Sequence, residues 1–188
     1  MNLDTIIKDF MSLVSNQRIQ IYNEFSLQHE LGIHLRGELG PLKVQFERNV
    51  SYFGFDKGQF EKKEIDISVF STQTDAPEAA FELKYPRSGQ YPEQMFSFCK
   101  DIVFLEQLAK AGFKRGIFIA VADERPFFEG TDTGIYSFFR GGKTLHGKIV
   151  KPTGSKDKEL YIEGHYEITW YPLIGNSKFM VVDTTSSR

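Results

Sequence analysis

Three charged residues with strand-like spacing stand out in the middle of the chain. Glu82 and Lys84 lie two residues apart within residues 79–86, and alternate side chains of a β-strand point to the same face. Asp66 has the equivalent place in residues 63–70, where every second residue is apolar. If the two strands pair, two carboxylates and an ammonium group converge on one face of a sheet. Carboxylate oxygens beside a lysine suit a divalent cation and a water molecule that needs positioning.

The patterns around these residues predict an α/β protein. Apolar residues at helical spacing predict one helix over residues 3–14 and a second over residues 17–36. Three strands are then expected over residues 43–53, 63–70 and 79–85. Because the connections between these strands are short, we expect an antiparallel meander.

A third helix and a buried strand complete the expected core. Pro92 suits the first turn of a helix that ends at Gly112, and Cys99 lies on its apolar stripe, so we expect Cys99 in the core. The continuously apolar residues 116–121 have the pattern of a buried parallel strand. The expected architecture is a mixed central sheet in α-β-β-β-α-β order, with an additional N-terminal helix and C-terminal β additions.

The last third of the chain has a weaker pattern. Strands are expected over residues 145–150, 160–171 and 178–182, with a charged hairpin loop over residues 152–158. The aromatic residues from Phe127 to Phe139 fit either core packing or stacking on unpaired bases, and core packing is the favoured interpretation.

Length and composition indicate one ordinary globular domain. The chain has 188 residues, and a chain of this size buries roughly 70% of the surface that its unfolded form exposes. We expect a core over residues 17–123, a β extension over residues 124–183 and a frayed tail over residues 184–188. The formal net charge is −2, whereas nonspecific DNA-binding proteins usually carry a basic excess.

A reducing, cytoplasmic location is expected. The single cysteine permits no internal disulfide, and the N-terminus lacks the pattern of a signal peptide. No apolar stretch approaches the roughly 20 residues that a membrane span requires, so no membrane partner is expected. The four histidines are dispersed, and neither a Ser-His-acid arrangement nor a glycine-rich phosphate loop stands out.

The order of the charged residues and the elements resembles the PD-(D/E)XK nuclease superfamily, which has the restriction-endonuclease-like fold. The resemblance covers residues 17–123 and lies in order and spacing. Asp66 matches the first strand acid of the family, and Glu82 and Lys84 match its second acid and its lysine. Glu30, on the second predicted helix, matches the helix acid that many members add.

Two positions depart from the family pattern. Ile65 stands where the name of the family places a proline. One branch of the family has a glutamine and, four residues later, a tyrosine in the helix that follows the lysine. Gln94 matches this glutamine, but Phe98 stands at the tyrosine position.

The resemblance implies a nuclease that hydrolyses phosphodiester bonds with Mg²⁺ or Mn²⁺ as its cofactor. Asp66 and Glu82 are the implied metal ligands, Glu30 binds the ion through water, and Lys84 positions the attacking water. The implied partner is a nucleic acid, with DNA favoured over RNA, and a homodimer is left open. Arg87, Gln90 and Gln94 follow the lysine in a turn and at the next helix start, where we expect them to contact substrate.

Two other functions remain open at this point. The same fold without turnover would be a module that binds nucleic acid or a protein partner, and the low net charge and Phe98 leave room for this alternative. The charged strand face is otherwise a solvated surface of a structural or interaction domain. In that case Glu30 lies at the edge of the apolar stripe of its helix and reaches water.

Overall fold

The computed structural model describes residues 2–87, 89–154 and 158–185. Three predictions fall partly outside these residues: the turn at Ser88, the middle of the hairpin loop at residues 155–157 and the end of the tail at residues 186–188. None of the described helices is both long and apolar enough to cross a membrane.

The described residues form four α-helices and eight β-strands. Helices α1 to α4 are Leu3–Ser15, Glu24–Glu38, Tyr91–Ala111 and Tyr136–Phe139. Strands β1 to β8 are Leu42–Asn49, Glu64–Ser71, Pro77–Lys84, Arg115–Ala122, Leu145–Val150, Glu159–Tyr166, Tyr171–Pro172 and Lys178–Asp183. Along the chain, α1 and α2 precede β1 to β3, and α3 connects β3 to β4.

A mixed six-stranded sheet forms the centre of the molecule, in the order β1-β2-β3-β4-β8-β7. Strands β1 to β3 form the predicted antiparallel meander, and β4 lies parallel to β3, as its apolar sequence predicted. Strand β8 pairs antiparallel with β4, whereas β5 and β6 form a separate two-stranded sheet. The C-terminal strands therefore extend the central sheet on one side and form an additional hairpin.

Alternate residues of the central strands divide the core into two clusters. On β4, Ile119 and Val121 pack with α1 and α2, whereas Phe118 and Ala120 pack with α3 and the β5–β6 hairpin. Both faces of the sheet are therefore covered, which explains why this strand is apolar at successive positions.

Helix α3 packs through an aromatic cluster. Phe98 contacts Phe118, Phe127 and Phe139, with ring centroids 5.5 to 5.8 Å apart. Phe127 and Phe139 are buried, which confirms core packing for this aromatic segment. Cys99 is also buried, as predicted, and burial raises the pKa of its thiol.

The Glu106 side chain of α3 forms hydrogen bonds with the β5–β6 hairpin. Its carboxylate accepts hydrogen bonds from the backbone N–H groups of Glu163 and Gly164, at 3.1 and 2.7 Å, and from the hydroxyl of Tyr166, at 2.8 Å. Three donors compensate for the removal of this carboxylate from water. The hairpin is thus joined to α3 by polar as well as apolar contacts.

Helix α2 begins at Glu24, later than the predicted start at Gln17. Asn23 is the N-cap: its side chain accepts a hydrogen bond from the Ser26 N–H at 2.8 Å, and the Ser26 hydroxyl accepts one from the Asn23 N–H at 3.0 Å. This reciprocal capping box sets the first residue of the helix. Gln17 instead has a left-handed backbone, with φ 58°, just after α1.

Two predicted strands are shorter than expected. Strand β1 ends at Asn49 because the Asn49 side chain accepts a hydrogen bond from the Ser51 N–H at 3.1 Å and caps a 3₁₀ helix over Val50–Phe53. The strand predicted over residues 160–171 is divided, since β6 ends at Tyr166 and only β7 continues in the central sheet.

Two glycines of α2 provide a matched test of how this helix packs on the sheet. A Cβ at Gly32 would lie 2.1 Å from the Phe46 ring of β1, whereas a Cβ at Gly37 would meet nothing within 4 Å. We expect Gly32→Ala to lower the free energy of unfolding by about 1–3 kcal/mol through overpacking. Gly37→Ala should raise it by about 0.5–1 kcal/mol, because alanine favours the helix. Urea unfolding of both variants measures these changes in the free energy of unfolding. Equal changes in the two variants would contradict the described packing of Gly32 on Phe46.

Candidate active site

Charged side chains from five segments of the chain meet where β3 ends. Four of them, Glu24, Lys62, Asp66 and Lys84, border a groove of about 690 Å³ that Glu47, Glu61 and Lys63 also line. We refer to the whole set of side chains that meet there as the charge cluster. Its members are Glu24 of α2, Lys62 of the loop before β2, Asp66 of β2, Glu82 and Lys84 of β3, and Asp101 of α3. The structure thus brings together Asp66, Glu82 and Lys84, as the strand patterns predicted.

The carboxylates of Asp66 and Glu82 are held by the backbone of each other's strand. The Asp66 N–H donates to Glu82 Oε1 at 3.3 Å, and the Leu83 N–H donates to Asp66 Oδ2 at 2.8 Å. The regular β2–β3 pairing ends one position earlier, at Ile67 opposite Phe81. Side-chain hydrogen bonds therefore replace the backbone ladder at the site and fix both carboxylates.

The backbone of Asp66 is also bound by a side chain of helix α2. Gln28 donates to the Asp66 carbonyl oxygen at 2.8 Å and also to the Glu47 carboxylate of β1. Glu47 itself has a left-handed backbone, with φ 50°. This conformation is costly for a residue other than glycine, and such strain is often found beside functional sites.

Glu82 is fully buried, with 0% of its surface exposed. A buried carboxylate is costly unless it is paired, and its partner is the Lys62 ammonium, which donates to Glu82 Oε2. The same Nζ lies 3.0 Å from Asp101 Oδ1 and 3.8 Å from Asp66 Oδ1. The ammonium group of Lys62 is thus placed among three carboxylates.

Lys84 connects the cluster to helix α2. Its Nζ donates to the Leu83 carbonyl oxygen at 3.1 Å and to Glu24 Oε1 at 3.2 Å, and lies 3.4 Å from Asp101 Oδ2. The second oxygen of Glu24 accepts a hydrogen bond from the Tyr85 N–H at 3.3 Å. Glu24 is therefore the acid that helix α2 contributes to the charge cluster.

The structure does not bring Glu30 to the charge cluster. Glu30 lies about 120° around α2 from Glu24 and about 9 Å along its axis. It is half-buried and lines a separate groove beside Phe25 and Phe46. Among the described residues, no hydrogen bond or ion pair joins Glu30 to Asp66. Its role as the helix acid of the site stays a prediction.

The three predicted substrate contacts lie beyond Lys84. Arg87 donates to the Tyr22 carbonyl oxygen, and its guanidinium lies 4.8 Å from the centre of the Tyr85 ring. Gln90 precedes α3 in a left-handed conformation, with φ 54°, and its carbonyl oxygen accepts a hydrogen bond from the Gln94 N–H at 3.0 Å. Arg87 and Gln90 thus lie between β3 and α3, whereas Gln94 lies in the first turn of α3.

Burial and neighbouring charges change the protonation of the cluster. Burial raises the pKa of Glu82 well above its usual value, and the charges of Asp66 and Asp101 raise it further. Burial also raises the pKa of Asp66, to about 6, although Lys62 and Lys84 oppose this shift. For Lys84, burial lowers the pKa, but the charges of Asp101 and Glu24 outweigh it and the net shift is upward. Lys84 therefore remains an ammonium group at neutral pH and donates rather than accepts a proton.

The carboxylates of the cluster are ligands of the type that binds divalent cations. Four carboxylates against two ammonium groups leave two unbalanced negative charges when all are ionised, and carboxylate oxygens are the ligands that Mg²⁺ and Mn²⁺ prefer. Asp101 Oδ2 is buried and makes no hydrogen bond. In the described conformation, however, no three His, Cys, Asp or Glu side chains of the described residues are arranged to hold a metal ion.

Three members of the charge cluster were not predicted from the sequence. Asp101 lies three residues after Phe98 and four before Leu105, so it falls on the apolar stripe of α3. An acid on such a stripe could have indicated a buried charged site. For Glu24, the signal was the capping residue Asn23 just before it. Lys62 lies in an irregular loop, and we find no signal in the sequence for its position.

Comparison of the chain with family models, with curated proteins and with solved structures found no match. A function for this chain is therefore inferred from the charge cluster and from the order of the elements around it.

The raised pKa of Asp66 predicts a pH dependence of stability. Between about pH 4 and pH 6 the folded protein keeps a proton on Asp66 that the unfolded chain releases, so the free energy of unfolding falls as the pH rises. A shift of this size corresponds to at most about 3 kcal/mol. Asp66→Asn should make this fall smaller and leave the part that the raised pKa of Glu82 contributes. Urea unfolding from pH 4 to pH 7 checks it, with Asp75→Asn, in an exposed loop, as the control.

Proposed function

We propose that this protein is a metal-dependent nuclease that hydrolyses phosphodiester bonds in DNA or RNA. In this proposal α2, β1 to β3, α3 and β4 form a restriction-endonuclease-like core. The observation that carries the proposal is the pair of reciprocal side-chain hydrogen bonds that holds Asp66 and Glu82 together beside Lys84. The cofactor is Mg²⁺ or Mn²⁺, with Asp66 and Glu82 as its ligands.

Each residue of the site has a distinct part in the proposed reaction. A bound Mg²⁺ or Mn²⁺ supplies Lewis acidity, which polarises a phosphoryl oxygen and makes a water molecule more acidic. Lys84, as an ammonium group, orients the attacking water by hydrogen bonding and offsets the charge of the phosphate. Glu24 holds Lys84 in position through their ion pair at 3.2 Å.

The charge of the groove supports a requirement for metal. Acidic side chains outnumber basic ones among the residues that line it, so the groove repels a phosphate chain when all of them are ionised. A divalent cation reverses this balance locally. The acids are Glu24, Glu47, Glu61, Glu64 and Asp66, and the bases are Lys62, Lys63 and Lys84.

One observation favours a second function, a nuclease-like module that binds nucleic acid or a protein without turnover. The Lys62 ammonium already compensates the buried Glu82 from within the chain. Because Glu82 is paired from within the chain, its burial needs no metal for folding. In that case the charged residues stabilise the fold, and the groove serves only as a binding surface.

Cleavage assays on single- and double-stranded DNA and RNA with Mg²⁺ or Mn²⁺ test the enzyme. We expect wild-type protein to cut at least one of these substrates, and Lys84→Met to cut it roughly a hundredfold more slowly or not at all. Lys114→Met is the matched control, because Lys114 is exposed and pairs with Glu78, outside the charge cluster. If wild-type protein binds a labelled oligonucleotide in anisotropy measurements but never cuts it, the binding module is the better description.

A pair of variants on α2 identifies the helix acid. Glu24→Gln should reduce the cleavage rate because it removes the charge that holds Lys84, whereas Glu30→Gln should leave the rate close to wild type. Both variants change one carboxylate to an amide on the same helix, and urea unfolding of each shows whether the loss of the Glu24 contacts to Lys84 and the Tyr85 N–H also destabilises the fold. A loss with Glu30→Gln and none with Glu24→Gln would support the role first predicted for Glu30.

A further inference from the structure

Lys62 lies where a cation bound by the buried acids would lie. We propose that Lys62 is an internal counter-ion of a cation site formed by Asp66, Glu82 and Asp101, and that a divalent metal binds there as the Lys62 side chain withdraws. This inference rests on the proposed function, because it concerns the metal of the same site. It adds Asp101 as a third ligand and gives Lys62 a part in metal binding.

The contacts of Lys62 are those expected of a bound cation. Its ammonium group meets one oxygen from each of three carboxylates, which come from β2, β3 and α3. These carboxylates are distant along the chain, and mutual repulsion would separate them without a positive charge between them. The ammonium therefore keeps the acids together in the conformation described.

Asp101 is the residue that points most clearly to an additional ligand. Its side chain is 3% exposed, and one oxygen, Oδ1, contacts Lys62 at 3.0 Å. The other oxygen, Oδ2, is buried without a hydrogen bond, although it lies 3.4 Å from the Lys84 Nζ. A buried carboxylate oxygen with unused acceptor capacity is costly as a purely structural element. A metal ligand would use that capacity.

Lys62 is also the member of the cluster that is best placed to leave. It lies in the loop before β2, and its side chain is 26% exposed and borders the open groove. The flanking backbone is anchored, since the Glu61 N–H donates to Gln107 Oε1 at 2.8 Å and the Lys63 carbonyl oxygen accepts from the Val50 N–H at 2.9 Å. Withdrawal therefore requires only rotation of a flexible side chain. In the groove, the ammonium group is available to a phosphate.

Chemical labelling of the wild-type protein tests the displacement directly. An amine-reactive reagent should label Lys62 slowly without metal and several-fold faster with Mn²⁺, as read by mass spectrometry of peptides. Lys100, which pairs with Glu61 at 3.4 Å on the surface of α3, is the internal reference and should keep its rate. An unchanged or slower rate at Lys62 under saturating Mn²⁺ would overturn the proposal.

Metal affinity of variants provides the second test. If Lys62 blocks the site for more than nine-tenths of the time, Lys62→Met should tighten Mn²⁺ binding by roughly tenfold or more in calorimetry. Lys63→Met removes the same charge from the same groove and should change the affinity much less. Asp101→Asn should weaken binding by roughly tenfold or more. Equal affinities of wild-type protein and Lys62→Met would refute displacement.

The outcomes separate this inference from the proposed function. Cleavage by wild-type protein together with unchanged metal affinity in Lys62→Met would leave the nuclease standing and overturn the role of Lys62. If neither wild-type protein nor Lys62→Met binds Mn²⁺ and neither cuts nucleic acid, both proposals are wrong. Displacement of Lys62 by Mn²⁺ without any cleavage would support the cation site and overturn the nuclease.

Discussion

A fully buried carboxylate in the middle of a sheet requires compensation, and much of the site follows from this requirement at Glu82. Its oxygens receive an ammonium group from Lys62 and a backbone N–H from Asp66. The first contact brings the loop before β2 over the sheet, and the second replaces a ladder hydrogen bond where β2 and β3 separate. The hydrogen bond from the Asp66 N–H to the Glu82 carboxylate thus positions Asp66 and also helps to compensate for the burial of Glu82.

The charges of the cluster also limit what its lysines do. Surrounding acids keep the pKa of Lys62 and Lys84 above the usual value of a lysine, despite burial. Both side chains therefore act as cations and hydrogen-bond donors at neutral pH rather than as general bases. In the proposed reaction, a proton removed from the attacking water would therefore go to an acceptor other than these two lysines.

The strand-borne half of the site was predictable from the sequence, whereas the other half was not. The two-residue period of a strand is a property of its backbone, so alternation, together with the expected pairing of the two strands, predicted that Asp66, Glu82 and Lys84 lie on one face. The face that a helical residue presents depends on where the helix packs and begins, and the capping box at Asn23 placed Glu24 in the site rather than Glu30. The loop that carries Lys62 has no regular repeat, so the sequence does not predict which way its side chains point. The element order and the parallel β3–β4 pair were predicted because long apolar patterns tolerate errors of a few residues at their ends.

The attachment of the β5–β6 hairpin to α3 has a consequence for the integrity of the core. Without the hairpin, water would solvate the carboxylate of Glu106, but the helix would also lose the buried hairpin residues Leu145, Ile149 and Ile162 from the core cluster that they share with α3. The C-terminal strands are thus an integrated part of the architecture and not a detachable accessory.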